Sequence, residues 1–439
     1  MIKPENSSNH YLRQISSLLL FGSVLKGKVG FAYLNLLQHL SLLIKEVSRN
    51  NNHRNEVLEL DCLLAYGKWF KALAKTKQSW QDYLIEQILF DSNPFSQQVQ
   101  TRSIINLPDS LREAARHDLK ILQSIHDLNS HQIAQWIQSN LSTSETILTW
   151  SMPSVQKTCL HNNSNWQDTL DELANHYSQK GTGIFARYSA FRWQDNQLKG
   201  ISNPDHIELD NIVGFDLQKA DLIKNTQFLL AGYSALHVLL YGSRGTGKSS
   251  LVKALLTTYA NQGLRLIEVN KSELGNLPAI VEKLSDVPQK FIIFVDDLSF
   301  EEDNDSFKAL KVVLEGSLTA SPKNIVVYAT TNRRHLIREY FGDRPRPSDS
   351  DEIHNWDTVQ EKLSFSDRFG LTLTFEAINQ DTYLTIIHHL ADQAQINIPQ
   401  SDLDFRAKQW ATRKNGRSGR TAQQFINFLQ AEISLENTP

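Results

Sequence analysis

The run Gly242-Ser-Arg-Gly-Thr-Gly-Lys-Ser249 constrains this chain more than any other feature. It fits the pattern GxxxxGK[ST] without deviation. An apolar, strand-like stretch, Val238-Leu-Leu-Tyr241, precedes it, and a helix-periodic stretch with Leu251, Val252, Leu255 and Leu256 follows. Glycines let the backbone curl so that successive N–H groups point inward at phosphate oxygens. The N-terminus of the following helix adds partial positive charge at the same spot. Lys248 can then reach the β- and γ-phosphates of a nucleotide, and the Ser249 hydroxyl can ligate magnesium. Gly242, Ser243, Arg244, Gly245, Thr246, Gly247, Lys248, Ser249 and the adjoining Ser250 are the candidate phosphate-binding residues. A chance glycine-rich turn would lack the strand and helix on its two sides.

Two further runs belong with this one. Phe291-Ile-Ile-Phe-Val-Asp-Asp297 is a continuous apolar strand ending in two carboxylates, about fifty residues after the phosphate loop. Such a strand delivers both acids to the carboxyl edge of a parallel sheet, where ligands bind. Asp296 would hold magnesium through water, and Asp297 would polarise an attacking water. Ile325-Val-Val-Tyr-Ala-Thr-Thr-Asn332 is another buried-type strand with a polar end. Asn332 is placed either to touch the γ-phosphate or its water, or to serve as an ordinary turn residue.

Around these runs the chain changes character. Residues 1–180 read as helical, with apolar residues at three- and four-residue spacing in Asn55–Thr76 and Thr169–Tyr177. Residues 181–209 read as a connector, an alternating aromatic-rich hairpin with its turn at Asp195-Asn196. From 210 to 376 strands and helices alternate, the signature of a parallel sheet covered on both faces. The strand candidates are His237–Tyr241, Leu264–Val269, Phe291–Val295, Asn324–Ala329 and Leu371–Phe375. Helix candidates between them are Ser249–Tyr259, Leu277–Lys283 and Ser306–Leu314. Residues 377–439 carry three more, Thr382–Ala394, Leu403–Arg413 and Thr421–Leu435, and read as a helical lid. The expected fold is therefore α/β, with a five-stranded parallel core, a C-terminal helical lid and a mainly helical N-terminal domain. The acidic, Pro- and Ser-rich stretch Gly342–Asp357 is long for a loop inside such a core; disorder and a docking or gating loop are both open.

Composition narrows the function classes. A net charge of −3 with 21% charged residues offers no basic stripe for nucleic acid. Two cysteines, Cys62 and Cys159, lie far apart and in no metal-ligand spacing. The most apolar stretch, Ile15–Ile44, is broken by Lys26, Lys28, Asn35, Gln38 and His39 well short of a bilayer's width. It reads as an amphipathic helix pair facing a protein core. With no secretory signal evident, the expected location is the cytoplasm.

Taken together, strand–phosphate loop, strand-Asp-Asp, strand-Asn and a following arginine resemble the AAA+ class of P-loop ATPases. A narrower likeness rests on Gly183-Ile-Phe-Ala-Arg-Tyr188, Phe294-Val-Asp-Asp-Leu-Ser-Phe-Glu301, Thr331-Asn-Arg-Arg-His-Leu336, Leu363-Ser-Phe-Ser-Asp-Arg-Phe-Gly370 and Ser418-Gly-Arg-Thr-Ala422. These resemble the bacterial ATP-binding family catalogued as domain of unknown function 815, over roughly 181–432. The resemblance implies ATP and Mg2+ as ligands. It implies that Ile212-Val213-Gly214 packs on the adenine and that Asn332 senses the γ-phosphate. It implies that Arg368 is an arginine finger reaching a neighbouring subunit of a homo-oligomer, and that Arg420, or Arg417 nearby, couples nucleotide state to the lid. A surface or domain-bridging ion pair is the plainer reading of Arg368, and Arg333 and Arg334, which immediately follow Asn332, could instead serve in cis. Most AAA+ enzymes have Asp-Glu where this chain has Asp296-Asp297, which leaves two outcomes open: an ATPase that drives conformational change, with an unknown protein partner, or a slowly or non-hydrolysing switch. Nothing in the motifs points to a kinase, a threading unfoldase, nucleic acid or a membrane.

Overall fold

A computed structural model describes residues 7–49, 55–142, 146–153, 158–298, 305–315, 322–332, 367–414 and 416–436. The stretch 342–357, Arg333 and Arg334 lie outside the described residues. The chain divides into two compact units, Met1–Arg187 and Tyr188–Pro439, so the division falls inside the stretch read as a connector.

The first unit is helical. Its longest helices, Lys28–Arg49, Glu56–Thr76 and Asp109–Asp127, pack around one apolar core. At its centre the rings of Tyr33 and Trp80 stack at 4.1 Å between centroids, with Trp69 edge-on to Trp80. The apolar stretch Ile15–Ile44 is used inside this core: Phe21, Val24, Leu25, Tyr33, Leu36, Leu37, Leu40 and Leu43 are buried. Gly30 permits the tight entry into the long helix, since a Cβ there would lie 2.6 Å from the Leu25 backbone. The loop before it is pinned by buried Asp118, whose carboxylate accepts the N–H groups of Leu19, Leu20 and Phe21. Among the described residues no helix is long and apolar enough to cross a membrane.

The second unit is built on a seven-stranded sheet in the order β2-β1-β4-β5-β6-β3-β7. The strands are β1 Ala190–Gln194, β2 Gln197–Ile201, β3 Val238–Gly242, β4 Leu264–Glu268, β5 Lys290–Val295, β6 Ile325–Thr331 and β7 Leu371–Phe375. All five expected core strands are present and mutually parallel, and the helices Lys248–Tyr259, Leu277–Ser285 and Asp305–Glu315 lie between β3 and β4, β4 and β5, and β5 and β6. The strand count differs from five because the hairpin does more than connect. Asp195 and Asn196 both take positive φ (54° and 57°), a two-residue turn that matches strand twist. This turn pairs β1 with β2, and β1 also lies parallel to β4, which extends the sheet at that edge.

One helix escaped the periodicity reading. Asp216–Leu230 precedes β3, and its buried face carries Asn225 and Thr226 beside Leu222 and Leu229. Both polar side chains meet the Tyr328 hydroxyl, at 3.1 and 3.0 Å. An inward face that is half polar shows no apolar stripe, although every group on it is satisfied. The C-terminal helices Gln380–Gln393, Gln400–Arg413 and Gly419–Glu436 form their own small core around Tyr383, Ile387, Phe425 and Leu429, with Val213 and Phe215 packed against it.

Candidate functional site

The site forms where β3, β5 and β6 end. Strand β3 runs into the phosphate loop, whose glycines all take left-handed or extended positive φ: Gly242 144°, Gly245 76° and Gly247 90°. At Gly242 the requirement is absolute, because a Cβ would sit 1.9 Å from the carbonyl oxygen of Phe375 at the end of β7. The loop then opens the helix Lys248–Tyr259, anchored below by Leu251, Val252 and Leu255.

Lys248 is the charged centre. Its side chain is buried, and Nζ donates to the carbonyl oxygens of Gly242 (2.9 Å) and Ser243 (2.7 Å) and to Oδ1 of Asn332 (3.2 Å). Burial pushes its pKa below the ordinary lysine value, and the nearby charges of Asp296 and Asp297 pull it partly back. The carboxylates stand on the neighbouring strand end. Asp296 Oδ1 accepts from Ser249 Oγ at 2.6 Å and from Thr330 Oγ1 at 2.5 Å. Asp297 turns into left-handed backbone (φ 50°), its N–H donating to Thr330 Oγ1 (2.9 Å) and its Oδ1 accepting from Asn332 Nδ2 (2.8 Å). Lys271 Nζ lies 3.8 Å from its other oxygen. Lys248, Ser249, Asp296, Asp297 and Asn332, drawn from three separate runs of sequence, thus form one connected polar network.

That network is one wall of a cavity of about 760 Å³. Arg244, Gly245, Thr246, Gly247, Ser250 and Val213 also line it; Gly242, Ser243 and Gly214 stand just outside its lining. The rest of the lining combines apolar residues, Ile207, Ile212 and Val213 of the core and Ile378, Ile386 and Leu390 of the lid, with polar ones, among them His206, Asn211, Gln393 and Gln423. Gly419 N donates to Gly245 O at 2.8 Å, which ties the last lid helix directly to the phosphate loop.

The two candidate lid arginines separate cleanly. Arg420 lines the cavity in the first turn of its helix, whereas Arg417 donates to Gln380 Oε1 at 3.0 Å and is not part of the lining. Arg368 is also away from the cavity: its guanidinium pairs with Glu315, and its side chain is only 18% exposed. Thr330 is the residue that motif reading passed over. It lies two positions before Asn332 on β6, on the same side by strand periodicity, and it bridges both aspartates.

The donor set suits a magnesium nucleotide. Ser249 Oγ and Asp296 Oδ1 are two hard oxygen donors in contact, and magnesium is usually held by one or two protein oxygens with phosphate and water completing its shell. The inward-facing loop and buried ammonium suit phosphate oxygens, and the apolar part of the lining suits a base.

The strand order, with the phosphate-loop strand between β7 and β6, and the appended helical lid make this an AAA+ P-loop ATPase-like fold. Among solved structures, the RuvB Holliday junction branch migration motor of Thermotoga maritima is similar at 15% identity, over 51% of this chain and 72% of that one, with a TM-score of 0.33. The FIGL-1 AAA domain in complex with ADP is similar at 17% identity, over 54% and 77%, with a TM-score of 0.34. No curated protein matches the sequence. The family described as "Protein of unknown function (DUF815)" matches residues 186–433, more than half of the chain. With that span covered and the phosphate-loop fold in place, the chain belongs to the DUF815 family.

Proposed function

We propose that this protein binds Mg-ATP in the cavity between the sheet edge and the lid and hydrolyses it, coupling nucleotide state to lid movement in a homo-oligomer. The observation that carries the reading is the Lys248 amine, buried at the mouth of the phosphate loop with Ser249 and Asp296 in contact beside it. Residues 210–376 would form the hydrolytic core and 377–439 the lid. A magnesium ion bound with the nucleotide would offset phosphate charge and draw electrons toward the leaving group. Ser249 and Asp296 are the residues to hold it. Lys248 would exchange its carbonyl partners for phosphate oxygens, which relieves the penalty of a buried ammonium bonded to neutral acceptors. Asp297 would take the proton of an attacking water, with Asn332 orienting the carboxylate and lying within reach of Lys248. Arg420 would report phosphate contact to the lid. Arg368 would act as a finger on a neighbouring copy, worth roughly a thousandfold in rate.

Two observations favour a second reading, a switch that turns over slowly. The Asp297 carboxylate is engaged by Asn332, and Arg368 is held by Glu315 of its own chain. Phosphate release measured across protein concentration, with Lys248→Ala and Arg368→Ala alongside, separates the two. A rate per chain that rises with concentration and collapses in both variants supports the assembled ATPase. Tight ATP binding lost only in Lys248→Ala, without turnover, supports the switch. Full activity in Lys248→Ala would remove both.

A further inference from the structure

We propose that the last two helices of the lid carry a binding surface for single-stranded nucleic acid, centred on Trp410, Lys414 and Phe428. The net charge of −3 conceals a local imbalance. From Phe405 to Ala431 no acidic residue occurs, whereas Arg406, Lys408, Arg413, Lys414, Arg417 and Arg420 all fall there. Three of these cations are committed elsewhere: Arg406 pairs with Asp402 and Glu432, Arg417 donates to Gln380, and Arg420 lines the phosphate-loop cavity. Lys408, Arg413 and Lys414 are exposed and, among the described residues, meet no carboxylate. The acids bordering the segment are engaged as well, Asp402 and Glu432 by Arg406 and Asp404 by His388 at 2.6 Å. What remains open to a partner on this surface is positive.

Aromatic rings stand among these cations. Trp410 on the helix Gln400–Arg413 lies against Phe428 on the helix Gly419–Glu436, 5.1 Å between centroids, and Lys414 Nζ lies 5.5 Å from the Trp410 centroid. Phe425 backs Trp410 from the lid core at 6.0 Å, which fixes the indole in place. Phe428 is 55% exposed, an aromatic face left to solvent on a basic surface. Bases stack on such faces whatever their identity, and lysine and arginine pair with the phosphates that join them. An acidic protein would use the cations but brings no flat π-system in every residue to stack on Phe428. A duplex keeps its bases stacked on one another and would likewise use the cations alone. A single strand uses both parts of the surface.

The test follows the fluorescence anisotropy of a dye-labelled oligothymidylate titrated with full-length protein. The wild type should bind it at low salt, with a slope of about −2 in log affinity against log salt if three cations each meet a phosphate. A fourfold rise in salt should then weaken binding roughly fifteen- to twentyfold. Lys408→Gln, Arg413→Gln and Lys414→Gln combined should remove most of that salt dependence. Phe428→Ala should weaken binding at least about fivefold, whereas Phe428→Tyr, which keeps a stacking face, should retain it. Lys248→Ala should bind the oligonucleotide as the wild type does, because the surface is separate from the phosphate loop. No binding by the wild type, or binding unchanged in both the combined and the Phe428→Ala variants, would overturn the proposal. So would its loss in Lys248→Ala, which would place the strand in the phosphate loop. Equal affinity for a duplex would remove the stacking role, and displacement by polyglutamate at equal charge would make the surface a dock for acidic proteins; either result overturns the single-strand assignment.

Discussion

Replacing Thr330 with valine tests whether the two aspartates are held as one unit. Valine keeps the shape of the buried side chain but removes its hydroxyl, which donates to Asp296 Oδ1 at 2.5 Å and accepts from Asp297 N–H at 2.9 Å. A hydrogen bond to a charged group contributes about 1.5–3 kcal/mol, and a stranded backbone N–H costs a further 1–3 kcal/mol, roughly, where water is excluded. Both aspartate side chains are exposed, so water recovers part of each term and the net loss should be about 2 kcal/mol. For a unit of this size, that corresponds to a drop of roughly 4–8 °C in melting temperature. Calorimetry of the nucleotide-free protein measures it directly. The functional arm is the magnesium dependence of nucleotide binding, which should shift to higher magnesium as Asp296 loses its second anchor. Thr330→Ser is the control, because it keeps the hydroxyl and loses only a methyl group. A valine variant with unchanged melting temperature and magnesium dependence would refute the reasoning. So would a serine variant as damaged as the valine one, since packing would then account for the loss.

Two other perturbations probe the scaffold. His237 accepts the Val327 N–H through Nδ1, and burial lowers its pKa from 6.5 to about 4. The unfolded chain therefore binds a proton that the folded chain refuses, so stability falls as pH drops below about 6.5 and levels off below about 4, a loss of about 3 kcal/mol. Denaturant midpoints across that range should be distinctly flatter for His237→Gln; an unchanged profile would exclude His237 as the source. Gly242→Ala should prevent the sheet from closing around β3, because the new methyl group meets the Phe375 backbone at 1.9 Å with φ at 144°. Limited proteolysis should show the second unit cut rapidly while the helical unit resists, and a fully protected Gly242→Ala variant would contradict the geometry.

Much of the second unit was legible because its determinants are local. The runs Phe291–Val295 and Ile325–Ala329 are continuously apolar because both sheet faces are covered, and the flanking helices show their three- and four-residue spacing. Where local signals mislead, the reason is specific. The helix Asp216–Leu230 buries two polar residues against Tyr328 and so lacks a stripe. The hairpin at Asp195-Asn196 announces its own turn, yet its pairing with β4 depends on residues 190–192 meeting 266–268, a contact no local pattern encodes.

The same division runs through the site. The phosphate loop, the paired aspartates and Asn332 were recognisable in sequence because their chemistry sits in contiguous runs, each at the end of a strand. Which residues meet across those runs was decided only in three dimensions. Thr330 joins the aspartates because β6 lies beside β5, and Arg420 faces the cavity while Arg417 turns to Gln380. Arg368 finds Glu315, and Gln393 of the lid finds Asn211. Backbone curvature and periodicity are short-range properties that a few neighbouring residues dictate. Partners separated by roughly thirty to two hundred positions are chosen by how the layers pack, because burial fixes which side chains share a wall once the chain has closed.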